Sequence, residues 1–310
     1  PTIKGIGAPG GDREPIVGII VRDCSNIRMD ANLDCGPCIL RQAIDAARRA
    51  SDDESTRETV LRRVASEISE MDFEETPMAM ATRAQAIVTE ETGDPDPFAA
   101  IKRASNEEVE ALKPAFRRRL DAADDRFRRA VRLAIAGNVI DVGPGHDIDV
   151  EATVDDVLEQ SFAIDRVADL RADLAEATDV LYLADNAGEI VLDRFLIETI
   201  DADVTVVLKD QPFLNDATLA DARDVGLDDV ADLRTRGEDG VGTITSAFER
   251  RLEEADVVLS KGQGNYELFS DADAPIYFLF MVKCDVVAED VGVPEGSIVA
   301  TAPAVDADGD

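Results

Sequence analysis

Apolar residues recur at helical spacing amid charge through residues 36–136. Ile39, Ile44, Val60, Val64, Ile68, Ile87 and Val88 are the clearest positions. Thr76-Pro77 reads as an N-cap followed by proline in the first turn. The run TGDPDP at 92–97 reads as a loop, residues 98–135 as further helix, and Gly137-Asn138 as its end. Gly143-Pro144-Gly145 then breaks the chain, and the pattern changes. Short apolar runs at 180–184 (VLYLA), 204–208 (VTVVL), 257–260 (VVLS) and 276–280 (IYFLF) suit strands covered on both faces of a parallel sheet. Helical patterns separate them at 189–200, 217–223 and 246–254. This alternation predicts a doubly wound α/β domain at 166–310, preceded by an all-helical domain at 29–165. No internal repeat is visible.

Residues 1–28 differ from the rest. They are glycine-rich, carry little helical pattern and do not begin with Met. The short apolar stretch at 16–21 has no cleavage site after it, so this is no signal peptide. The expectation is a non-native or disordered extension, with Met29 as the natural start.

Charge narrows the function classes. The 310 residues carry 32 Lys and Arg against 66 Asp and Glu, a formal net charge of −34. Such a surface repels nucleic acid and anionic lipid, and the longest apolar runs are far too short to span a bilayer. The acidic residues are spread along the chain, and only six of the cations are Lys. Adaptation to molar salt, where the screening length falls to about 3 Å, is the expected cause. A haloarchaeal-type cytoplasm follows as the expected location.

The candidate chemistry lies at strand ends, where open α/β sheets bind ligands. The first run leads into Asp185-Asn186-Ala187-Gly188-Glu189, the second into Lys209-Asp210-Gln211-Pro212 and then Asn215-Asp216, the third into Lys261-Gly262-Gln263-Gly264-Asn265. Two carboxylates and an amide at short range are oxygen donors suited to Mg or Mn, and lysines beside them suit a phosphate. Taken singly, Asp185-Asn186 is more commonly a turn and Lys261-Gly262 a solvated turn; three successive loops favour a site. A Walker loop is absent, Gly262–Asn265 lacks the third glycine of a dinucleotide fingerprint, and the single histidine, His146, supports no triad. The tail at 306–310 resembles half a calcium loop and stops short. Cys35-Gly36-Pro37-Cys38 lies at a helix start, where thiol pKa falls, so the pair is a candidate redox or soft-metal site as well as an incidental reduced pair. Cys284 could join it in space.

These blocks together resemble the archaeal branch of the damage-control phosphatase family, long catalogued as domain of unknown function 89. The resemblance rests on residues 34–42 (DCGPCILRQ), Asp96-Pro97-Phe98 with Lys102 and Asn106, residues 136–141 (AGNVID), residues 185–189 (DNAGE), residues 215–218 (NDAT), residues 260–265 (SKGQGN) and Lys283-Cys284. It covers roughly 29–299. It implies a helical part joined to a Rossmann-like, mostly parallel sheet and a metal-dependent hydrolysis of small phosphomonoesters. Asp185, Asn186 and Asp216 would bind a divalent metal (Mn, Co, Ni or Mg). Lys261 and Lys283 would bind phosphate, Asn265 would assist, and Asn138 and Asp141 would line the cleft. Cys35, Cys38 and Cys284 would form a second metal or redox site. The implied partner is a small phosphorylated metabolite. The alternatives are an S-adenosylmethionine-dependent carboxyl methyltransferase and a non-enzymatic metal- or thiol-binding protein.

Overall fold

The computed structural model describes residues 29–139, 149–236 and 245–302. Residues 1–28, Asp141, His146 and the acidic tail lie outside the described residues.

Six helices come first: α1 (Cys35–Ala50), α2 (Glu54–Ser69), α3 (Pro77–Thr92), α4 (Ala99–Asp121), α5 (Arg126–Gly137) and α6 (Val150–Glu159). Thr76 caps α3, accepting from the amide of Ala79, with Pro77 in the first turn. Strands and helices then alternate: β1 (Phe162–Asp165), α7 (Val167–Glu176), β2 (Asp179–Leu183), α8 (Glu189–Ile197), β3 (Asp203–Leu208), α9 (Leu219–Asp224), β4 (Asp232–Thr235), α10 (Ser246–Glu254), β5 (Val257–Lys261), α11 (Gln263–Phe269), β6 (Ile276–Met281), α12 (Asp285–Val291) and β7 (Ile298–Thr301).

The seven strands form one sheet in the order β1-β7-β6-β5-β2-β3-β4. All pairings are parallel except β6–β7. The four apolar runs are its central strands. Val180 and Tyr182 of β2, with Val257 and Leu259 of β5, face one core cluster; Leu181, Leu183 and Val258 face the other. Burial on both faces is why these runs lack alternation. The edge strands β1 and β4 alternate half-buried with exposed residues, so their apolar signal is too weak to read.

The core does not divide at residue 166. Phe116 of α4, Ile135 of α5 and Val154 of α6 share one cluster with Tyr182 and Val206 of the sheet. Among the described residues, α1–α3 build a separate cluster around Ile39, Val60, Val64, Met80 and Val88, joined by Phe98 and by Ile101 of α4. Half of the expected helical domain is therefore a layer on the sheet, and β1 already lies within it. The chain direction reverses its lateral progress at β2, which pairs with β3 on one side and β5 on the other. This switch point opens a crevice at the carboxyl ends of β2 and β5.

Candidate metal and phosphate site

Two loops meet at that crevice. The β2–α8 loop carries Asp185 and Asn186; the β3–α9 loop carries Asp216. They are stitched by main-chain bonds from Ala217 N to Asp185 O (2.7 Å) and from Ala187 N to Asn215 O (2.9 Å), and Asn186 and Asp216 form an isolated bridge. The expected metal ligands are thus adjacent and buried. Leu214, with φ 47, holds the left-handed turn that brings Asp216 back to the sheet edge.

The third loop touches the first. A β-carbon on Gly262 (φ +80) would lie 1.9 Å from Asp185 Oδ2, so only glycine allows β5 to pass this closely. Asp185 Oδ2 accepts from Asn138 Nδ2 and Asn186 Nδ2, both at 2.8 Å. Burial, with Asp216 and Glu189 nearby, pushes the Asp185 carboxyl up to about 8, against the pull of Lys283 and Lys209. Burial also raises Asp216, against Lys209 and Arg236. Lys209 Nζ stands 3.2 Å from Asp216 Oδ2, in an alignment that leaves this oxygen without a hydrogen bond. Burial, reinforced by Arg236, lowers the Lys209 pKa.

Lys261 and Asn265 are not where a phosphate-binding role needs them. Lys261 is fully buried. Its ammonium donates to Glu189 Oε1 (2.6 Å), Asp193 Oδ1 (2.6 Å) and Ala134 O (2.8 Å), an ammonium's full complement of three. Val257, Leu259 and Lys261 alternate along β5, so strand periodicity already turned this lysine toward the helices on that face. Asn265 Nδ2 donates to Lys261 O (2.7 Å) and Ala184 O (3.2 Å), bracing the two strand ends. Lys283 is exposed, and close enough to Asp185 to oppose its pKa rise.

Arg236 is the cation that the sequence reading missed. It follows the unrecognised edge strand β4, lies buried against Phe269, donates to Asn265 Oδ1 and feels Asp216 and Asp185. Lys102 of α4 is also buried, tied to Asp96 (2.8 Å) and Asp221 (3.2 Å), which joins α4 to α9 beside a cavity of about 520 Å³. Asn106 on the same helix accepts from Gly188 N (2.6 Å), tying the β2–α8 loop to α4.

The donor set fits a hard divalent cation. Asp185, Asn186 and Asp216 supply oxygen atoms, and buried Asn138 Oδ1 has no hydrogen-bond donor among the described residues. Among the described residues, no group of three or more His, Cys, Asp or Glu stands at metal-holding spacing, so amide oxygens are needed to complete such a site.

Cys35, Cys38 and Cys284 lie within electrostatic reach of one another and of Glu267. Burial raises the Cys35 thiol, with Glu267 and Cys284 adding to it. Partial burial raises Cys38 too, although the residue remains at the surface and Arg41 opposes the shift. The thiol pair therefore has the opposite shift from the one expected at a helix start; burial and acidic neighbours outweigh the helix terminus.

A family described as the damage-control phosphatase ARMT1-like domain matches residues 31–299. The chain belongs to that family. Among members of the damage-control phosphatase family, a protein of Archaeoglobus fulgidus named "Damage-control phosphatase" is 33% identical over 285 residues, 86% of this chain and 96% of its own. The "Damage-control phosphatase PH1575" of Pyrococcus horikoshii is 36% identical over 217 residues, 67% of this chain and 75% of that one. Its crystal structure, described as that of a DUF89 family protein, superposes with a TM-score of 0.81 at 30% identity, covering 88% of this chain and 99% of that chain. The resemblance read from the motifs and the α/β fold class are both confirmed. No helix among the described residues is long and apolar enough to cross a membrane.

Proposed function

We propose that this chain is a divalent-metal-dependent phosphatase acting on small phosphomonoesters, such as sugar phosphates or damaged phosphometabolites. Relatives named damage-control phosphatase support the reaction class. The observation that carries the reading is the pairing of Asp185 and Asp216 on two stitched loops at the sheet's switch point, with a buried ammonium 3.2 Å from Asp216. Carboxylates, carboxamides and cations in one crevice suit a cation and a phosphate together.

Asp185, Asn186 and Asp216 would hold the metal, as Mn, Co, Ni or Mg. When bound, it supplies positive charge to the phosphoryl oxygens. Lys209, Arg236 and Lys283 offset negative charge on the transferred group, which a protein with net charge −34 otherwise repels. Asp185 and Asp216 are the carboxylates placed to take the proton of an attacking water. Lys261 and Asn265 act behind them as braces. Asp141 lies outside the described residues. Cys35, Cys38 and Cys284 do not stand at metal-holding spacing, so a separate soft-metal site there would need the thiols to draw together, with retained zinc after purification as its sign.

The methyltransferase reading is weaker. The loop after β2 packs a carboxylate against Gly262 and offers no glycine-rich cradle for a nucleoside. The deciding experiment is a screen of phosphorylated metabolites with each metal at high salt, run on the wild type and D185A. Asp185→Ala is expected to lower metal-stimulated turnover by about a thousandfold or more with an unchanged circular dichroism spectrum. Undiminished turnover would remove Asp185 from the site.

A further inference from the structure

Behind the crevice lies a buried polar network centred on Glu189, a residue with no direct part in the chemistry above. Lys261 holds Glu189 through Oε1 at 2.6 Å. The other oxygen of that carboxylate, Oε2, accepts from Asn138 Nδ2 (3.0 Å), Asn186 Nδ2 (3.0 Å) and Asn186 N (3.3 Å). Both amide nitrogens also donate to Asp185 Oδ2. Two carboxamides thus bridge the same two carboxylates through their NH2 groups. Glu189, Asn138, Asn186 and Lys261 are all buried, Glu189 and Lys261 at 0% exposure.

The geometry points to Glu189, locked by Lys261, as a positioning residue that turns both carboxamides oxygen-outward, and to Asn138 as a further cation-side oxygen beside Asn186. A carboxylate paired with an ammonium accepts hydrogen bonds, so Glu189, held by Lys261, takes only the NH2 face of each amide. That leaves Asn138 Oδ1 as the outward atom, and it is buried with no donor among the described residues. A carbonyl oxygen repels a phosphate oxygen and attracts a cation. Asn138 therefore serves the metal side of the site and not the phosphate side that its motif suggested. Lys261 matters because it consumes the opposite oxygen of Glu189 and fixes the carboxylate plane. Gly137, immediately before Asn138, lets α5 approach α8 closely enough to make these contacts: a β-carbon there would lie 2.9 Å from Glu189 Cα.

This inference rests on the proposed cation site, so the experiment begins with Mn²⁺ alone titrated calorimetrically into the wild-type protein. No binding by the wild type would overturn the site and the inference with it. Given binding, Glu189→Gln is the decisive variant. A glutamine side chain has one acceptor and one donor end, so it cannot accept from Lys261 and from both asparagines. E189Q is expected to weaken Mn²⁺ binding about tenfold or more and to change the visible spectrum of bound Co²⁺. Asn138→Ala, which leaves the Glu189–Lys261 pair intact, is expected to weaken Mn²⁺ about fivefold or more and to change the same spectrum. E189Q with wild-type Mn²⁺ affinity and Co²⁺ spectrum would overturn the positioning role. Should E189Q fail to fold, N138A decides: unchanged Mn²⁺ affinity there, with weakened inorganic phosphate binding, would return Asn138 to the phosphate side and overturn the inference.

Discussion

Asp185 carries an unusual burden for a carboxylic acid. It is buried between Asp216 and Glu189, and its carboxyl is pushed up from an ordinary 3.8 to about 8. In the metal-free protein the folded state therefore holds this proton more tightly than the unfolded chain does. The contribution of Asp185 to stability is greatest near pH 4 and is lost as pH rises towards 8, where folded and unfolded forms are both ionised. The melting temperature of the metal-free wild type, taken relative to that of D185N, is expected to fall from pH 5 to pH 8 and then level off. A difference that stays constant across that range would refute the assigned shift. At this scale the sequence was informative about identity and poor about direction. Asp185, Asn186 and Asp216 stand out as polar residues ending apolar runs, and they do share one crevice. Lys261 stands out equally, yet its side chain takes the inward position of its strand. Charge type is written in the chain; which neighbour neutralises it is not.

Helix α5 meets α8 beside the β2–α8 loop, and their separation is set by Gly137. Because the clash of an added methyl is with Glu189 main chain, no side-chain rotation relieves it. G137A is expected to push α5 outward and carry Asn138 with it. The checks are thermal unfolding, with a cost of about 1–3 kcal/mol, and Mn²⁺ calorimetry, with weakened binding at unchanged helix content. Equal melting temperature and equal affinity would show that the two helices are not so tightly apposed. Elements themselves were legible in the four long apolar strands, whereas the short buried strand β7 was not read. The four central strands and α10 fall where the apolar pattern places them, because a strand covered on both faces must be apolar throughout. β1 and β4 were invisible because edge strands need only half a face buried. Missing β4 also meant missing Arg236 at its end.

At the scale of the whole molecule, 66 acidic groups face 32 basic ones. Many arginines are absorbed in surface pairs such as Arg83 with Glu67 and Glu75, and Arg119 with Glu151 and Asp155. Such pairs, half-buried but still reached by solvent, each contribute only about 0–1 kcal/mol, so excess repulsion remains. We expect the melting temperature to rise as KCl increases from about 0.1 M to about 1 M, where screening shortens from about 10 Å to about 3 Å. A flat or falling curve would contradict the salt-adaptation reading. The core follows another logic from the charge. One cluster runs from α4–α6 through the sheet, a second lies on the sheet's other face, and α1–α3 close a third. The helical half is therefore a layer plus a small bundle, a division that helical periodicity cannot reveal because both kinds of helix need one apolar stripe.

The sequence by itself determined the α/β class, the family motifs and the set of polar residues that strand ends present. Those follow from local rules: burial on two faces demands apolar runs, and chain reversal exposes whatever follows them. The tertiary structure alone decided that Lys261 spends its donors on Glu189, Asp193 and Ala134, that Arg236 lies buried within reach of Asp216 and Asp185, and that Asn138 donates to both Asp185 and Glu189. These depend on which groups from distant segments meet, and hydrogen-bond donors and acceptors are matched only once packing has brought them within about 3 Å.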